Sequence, residues 1–189
     1  MYLDYRLYFL ANNNDIPSSL LNDKGELLSL NSLFEYFPKR TLAVSSGRSF
    51  GKLIDSQIAN LANKNVFKRS GDGRYSAVGN MLLRHRIDYI IDFPVVINKE
   101  LNLKNNPLAL KSIAIANSPN YSLGHIACNK SPTGQKIIGK VNKILTSLYK
   151  NKPFYHAHAR YIGGADLDAF NRYYQQVFHS TISQLNIPH

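Results

Sequence analysis

Residues Thr41 to Leu61 constrain the fold more than any other stretch, because they read as a strand that turns through glycine into a helix. Leu42 and Val44 supply a short β-prone run and Gly47 permits a tight turn. Phe50, Leu53, Ile54, Ile58 and Leu61 then follow at helical spacing. The unpaired N–H groups of the new helix point at whatever sits beside Ser46 to Ser49. A carboxylate or phosphate there gains about 0.3–2 kcal/mol from the helix end, and more where the donor fork of Arg48 closes on it.

The rest of the chain continues the alternation of strand and helix. Tyr2 to Phe9 is β-prone, Asn12 to Pro17 is a turn, and a Leu-rich stretch from Ser18 to Leu33 surrounds Asp23-Lys-Gly25. Val66-Phe67 and the Ser70-Gly-Asp-Gly73 turn lead to Val78, Met81, Leu82 and Leu83 at helical spacing, and Arg86 to Asp92 is a short buried strand. This order predicts an α/β chain with a mostly parallel sheet. Pro94 opens a short helix through Leu101, Asn102 to Pro107 is a loop, and Ile113–Ala116 and His125–Cys128 are two further strands. Ser131 caps a long amphipathic helix with Ile137, Ile138, Val141, Ile144, Leu145 and Leu148 on one stripe. A last helix spans Asp166 to Ile182 with Leu167, Phe170, Tyr173, Tyr174, Val177 and Phe178 inward.

A formal net charge of +11 on 189 residues brings polyanions into consideration. The lysines and arginines are, however, scattered between apolar runs without a basic block, which describes a solvated surface and not a specific nucleic-acid face. Cys128 is the only cysteine, so neither an intrachain disulfide nor a thiolate zinc cluster is available. His125, His156 and His158 do not complete a visible ligand set, and no cofactor motif is present, so neither a metal nor a cofactor is expected. The opening Met-Tyr-Leu-Asp-Tyr-Arg lacks the features of a signal peptide, and no run approaches the length of a membrane span.

Three enzyme spellings must be weighed. Gly47-Arg-Ser-Phe-Gly51 fits the nucleophile elbow of a serine hydrolase, with Asp166 and His179 as available triad partners, although both fall in expected helix. The phosphate loop of nucleotide-binding proteins is absent, because three residues separate Gly47 from Gly51-Lys52 and Leu53 replaces the required hydroxyl. Asp88 and Asp92 lie about 13 Å apart on a strand at roughly 3.3 Å per residue, beyond the reach of a glycosidase dyad of about 5–9.5 Å. Asp88 reads as a structural partner for nearby backbone or Arg86. Asp92 sits at the carboxyl end of its strand, where open α/β sheets bind ligands, and helix capping is the competing role.

Two stretches together, Arg40 to Gly51 and Asn80-Met-Leu-Leu-Arg-His-Arg-Ile-Asp-Tyr-Ile-Ile-Asp92, resemble the second-lobe motifs of type II periplasmic solute-binding proteins, the amino-acid-binding family 3 group. The resemblance implies that Ser45, Ser46, Gly47, Arg48 and Ser49 form a carboxylate-holding turn, with Ser49 a hydroxyl donor and Asp92 the partner of a ligand's amino group. It implies residues 1–12 as a hinge strand and the end of lobe 1, and 13–122 as lobe 2. Residues 123–189 become the second hinge strand, Leu123 to Lys130, and the carboxyl-terminal helices of lobe 1. The fold expected is one complete βαβ lobe plus a partial second lobe joined by two hinge strands.

The function implied is binding of an amino acid or other small carboxylate between two lobes for ABC-type uptake, in the periplasm, with a membrane permease as partner. A sensory or interaction module of the same fold is the alternative, and the serine hydrolase a second. Arg48 stands where the family has a small threonine, and His85 where it has glycine before an arginine. The family's opening βαβ segment and its carboxylate-clamping arginine have no counterpart in the sequence. Apolar surface left by those strands is open to a homodimer partner.

Overall fold

The computed structural model describes residues 1–11, 15–70, 74–100, 110–163 and 165–178. The expected loop at Asn102–Pro107, parts of the two expected turns at 12–17 and 70–73, and the end of the last helix with His179 lie outside these residues. The chain divides into two compact units, Asp4–Asn120 and Met1–Leu3 together with the chain from Tyr121 onward.

In the larger unit, β2 (Arg6–Leu10), β3 (Leu42–Ser45), β4 (Val66–Arg69), β5 (Tyr89–Asp92) and β6 (Leu110–Ala114) form one sheet in the order β4-β3-β5-β2-β6. Strand β3 runs parallel to β4 and β5, as two crossovers through helices require. Strand β2 is antiparallel to both β5 and β6. The sheet is therefore mixed, not mostly parallel, because apolar periodicity reports which residues are buried and is blind to strand direction. The N-terminal β-prone run is likewise two strands, β1 (Tyr2–Leu3) and β2, and they belong to different units. Strand β2 lies inside the larger unit between β5 and β6.

Side-chain alternation splits the core across the sheet. Leu7, Phe9, Leu42, Val44, Tyr89, Ile91 and Ile113 face one side, where α1 (Leu30–Tyr36) and α2 (Lys52–Ala59) bring Leu30, Leu33, Phe34 and Ile54. Tyr8, Leu10, Ala43 and Ile90 face the other and meet Val78 and Leu82 of α3 (Arg74–Leu83) and Ile97 of α4 (Pro94–Glu100). Both faces are covered, which explains why β5 is buried along its whole length.

Helix α3 ends in a Schellman turn. The His85 amide donates to the Leu82 carbonyl at 3.0 Å and the Arg86 amide to the Met81 carbonyl at 2.9 Å. His85 holds φ of 54°, the left-handed conformation that glycine adopts without cost.

In the smaller unit β1 pairs antiparallel with β7 (Tyr121–Ser122), and Met1, Leu3, Tyr155, Ile162, Phe170 and Tyr174 form a core. Tyr155 and Tyr174 are core residues, the first donating to Asn171 Oδ1 at 2.5 Å and the second to the Tyr149 carbonyl at 2.9 Å. Helix α5 (Pro132–Leu148) starts at Ser131, whose hydroxyl accepts the Gly134 amide at 3.1 Å. Its stripe forms as expected, yet Ile137 and Ile144 stand 49% and 58% exposed. Helices α6 (Lys152–Ala159) and α7 (Ala165–Phe178) complete the unit; α6, absent from the sequence reading, begins with Asn151 as cap and carries His156 and His158.

The expected strand at Leu123–Lys130, including His125–Cys128, is corrected. Those residues are exposed throughout and have no regular structure. An extended segment becomes a strand only when a neighbour satisfies its backbone, and the apolar letters here gave no information about a neighbour.

Candidate functional site

Strands β3 and β5 are adjacent and parallel, so their carboxyl ends open side by side, and each feeds a helix. The turn after β3 is held by the Ser46 amide donating to the Arg69 carbonyl at 2.8 Å and the Arg48 amide donating to the Ser45 carbonyl at 3.3 Å. Gly47 and Gly51 take φ of 72° and 88°, and a Cβ at either would meet nothing, so backbone conformation and not space selects glycine at both. The turn carries Arg48 toward β5.

Arg48 closes on Asp92 as a two-pronged fork, Nη1 to Oδ2 at 2.9 Å and Nη2 to Oδ1 at 2.8 Å. The same carboxylate accepts the Phe93 amide at 2.8 Å. Asp92 therefore binds the backbone at the start of α4 and a cation at once. The side chains of Arg48 and Asp92 are 17% and 8% exposed.

Three aromatic rings enclose the guanidinium, with centroids of Tyr5, Phe50 and Phe93 at 5.2, 5.4 and 5.5 Å from its central carbon. Tyr5 stacks on Phe93 at 4.1 Å and meets the edge of Phe50 at 5.1 Å. Burial alone would lower the Arg48 pKa, but the hydrogen bonds and attraction of Asp92, with a further contribution from Tyr5, outweigh it and raise it. Arg48 is a permanent cation in this box.

The anion half of the turn is also engaged. Asp55 of α2 accepts the Ser49 hydroxyl at 2.5 Å and the Phe50 amide at 2.8 Å, while Ser49 Oγ accepts the Gly51 amide at 3.1 Å. A cavity of about 300 Å³ lies beside the turn, bordered by Ser45, Ser46, Gly47, Arg48, Asp55 and Lys68, with Ile58, Leu61 and Val66 as an apolar wall. The structure thus brings Arg48 to Asp92 and Ser49 to Asp55, and leaves Ser45, Ser46 and Gly47 lining open space.

Asp88 has the structural role read from sequence, with different partners. It accepts Arg40 Nη1 at 2.9 Å and the Thr41 amide at 2.8 Å, tying the start of β3 to the start of β5. The nucleophile-elbow reading of Ser49 loses its geometry. That motif places its serine on strained backbone, whereas among the described non-glycine residues only His85 and Asn117 have positive φ. Among the described residues no group of three or more His, Cys, Asp or Glu side chains is arranged to hold a metal ion.

Sequence reading missed Tyr5, Phe50 and Phe93 as site residues, and Asp55 as the acid behind the turn. An acid in the first turn of a helix led by Ser-Phe-Gly is a legible signal for Asp55. Phe93 stood next to Asp92; nothing local marked Tyr5.

No family model and no curated relative matches the chain. Solved structures do. A Streptococcus mutans glutathione-import structure, described with GshT and the cystine importer TcyBC, matches with TM-score 0.56 and 16% identity over 87% of this chain and 61% of that one. An ancestral arginine-binding protein bound to glutamine matches with TM-score 0.53 and 15% identity over 87% and 61%. EhuB in complex with hydroxyectoine matches with TM-score 0.50 and 16% identity over 94% and 62%. The fold is that of the type II periplasmic binding proteins. In that fold's terms, the chain spans about three-fifths of the length of these structures. The periplasmic-binding fold accounts for the mixed sheet.

Proposed function

We propose that this chain binds a small solute, an amino acid or another small carboxylate, at the carboxyl ends of β3 and β5, and does so for ABC-type uptake outside the cytoplasm. Support comes first from one observation: a hydroxyl- and amide-rich turn borders a cavity large enough for such a molecule, and its Arg48 reaches Asp92 at the end of the neighbouring strand. Ser45, Ser46, Gly47 and Ser49 would supply donors to the carboxylate, Arg48 its charge, and Asp92 the partner for an amine. The solutes and importers named for similar structures lend weight to the solute class and to a permease partner.

Binding is tested by calorimetric titration of the chain with the common amino acids and small mono- and dicarboxylates. Saturable heat from at least one member is expected, with weakening in Asp92→Asn. Silence across the panel removes the proposal. Linkage to uptake is tested by gene neighbourhood, where a permease supports transport and a signalling partner supports the sensory reading.

A further inference from the structure

The box around Arg48 has the chemistry of a cation site, and the chain itself fills it. A planar carboxylate matched two-to-two with a guanidinium is the strongest geometry available to that pair. Three rings packed around the same group add attraction from their π faces, which is greatest when the cation is shielded from water. A surface ion pair needs none of this enclosure. The rings come from three separate segments, Tyr5 before β2, Phe50 before α2 and Phe93 before α4, so the box is assembled by the fold and not by the turn that carries Arg48. Arg48 itself stands between two glycines, Gly47 and Gly51, both in conformations other residues rarely adopt.

We propose that Tyr5, Phe50, Phe93 and Asp92 form a guanidinium-recognition site, that Arg48 is its resident occupant, and that Arg48 leaves before the site takes the amine or guanidinium end of a solute. The second part rests on reading Asp92 as the cation-facing acid of the solute site. Its consequence is a conformational tax: the affinity for a cationic group falls by the fraction of molecules in which Arg48 is out. Ligands that need only the donor-rich turn and the cavity escape that tax. The resident cation therefore sorts solutes, disfavouring those that must displace it.

Methylguanidinium is the probe. Arg48→Ala, checked for folding by circular dichroism, is expected to bind it in the low millimolar range and to gain several degrees in Tm. Wild type should respond at least about tenfold more weakly, and the Arg48→Ala/Asp92→Asn double variant should lose the response. A folded Arg48→Ala no more responsive than wild type overturns the proposal. Should Arg48→Ala not fold, the wild type decides by nitrogen-resolved NMR of its guanidinium groups. Slowly rotating, exchange-protected Arg48 Nη signals that sharpen as methylguanidinium is added support residency and displacement; freely rotating signals at the outset overturn it. The two readings separate cleanly. Rescue of Arg48→Ala with a silent solute panel keeps the box and removes solute binding. Amino-acid binding by wild type with Arg48 signals unmoved keeps solute binding and overturns displacement.

Discussion

Asp55 reaches back over the start of α2 to hold Ser49 at 2.5 Å and the Phe50 amide at 2.8 Å, the positions a bound anion would contact. The carboxylate is in effect an internal anion that steadies the turn. Asp55→Ala should cost about 1–2 kcal/mol in urea unfolding, the range for losing a helix-start cap. It should also make stability sulfate-dependent, with millimolar sulfate raising the variant's Tm more than the wild type's. Equal sulfate responses would show that the turn does not hold anions.

The Arg48–Asp92 pair invites a double-mutant cycle. Asp92→Ala leaves a half-buried cation without its fork and should cost about 2–4 kcal/mol. Arg48→Met keeps the stem against the three rings and should cost less. A coupling energy of at least about 1 kcal/mol is expected from denaturant unfolding of the four proteins. Additive effects would mean that the rings and not the carboxylate hold Arg48.

His85 carries a cost that can be relieved. A non-glycine residue in the left-handed region is disfavoured by roughly 1–2 kcal/mol, and His85 is exposed and outside the buried core. His85→Gly should stabilise the chain by about 0.5–1 kcal/mol after the entropy of the freer unfolded chain is subtracted. Urea midpoints with an unchanged m-value would establish it; a loss of stability would mean that the imidazole has a role the Schellman turn does not explain.

Local grammar made part of this structure readable. Leu42 and Val44, the glycine turn and the helical spacing after Phe50 locate β3 and α2 because each signal lies within a few residues of the element it specifies. Ser131 announces α5 for the same reason. Strand direction and pairing are not local, so β2 between β5 and β6 was invisible, and the apolar letters at Leu123 and Ile126 suggested a strand that no neighbour among the described residues completes. The site divides along the same line. The turn and Asp92 were legible separately, but their meeting through Arg48 joins residues 44 apart, and Tyr5 enters from a third segment. Only the three-dimensional fold makes a cation box of them.

Tyr89 and Tyr174 offer a pH test with opposite costs. Burial first, with the nearby Asp88 carboxylate adding to it and Arg40 opposing, pushes the Tyr89 phenol up to about 12. Burial, with Tyr149 and Tyr155 nearby, pushes Tyr174 to about 12 as well. The folded state thus prefers the protonated phenols. Their contribution is complete below the unfolded value near 10 and is lost as pH rises from about 10 toward 12, on the order of 2 kcal/mol for a fully buried group. The Tyr89 hydroxyl is buried without a hydrogen-bond partner among the described residues, whereas that of Tyr174 donates to the Tyr149 carbonyl. Tyr89→Phe should therefore be neutral or stabilising at pH 7 and flatten the decline above pH 10. Tyr174→Phe should flatten it too but cost about 1 kcal/mol at pH 7. Urea midpoints measured from pH 7 to 11.5 decide between these outcomes, and a decline unchanged in both variants would place its origin in other groups.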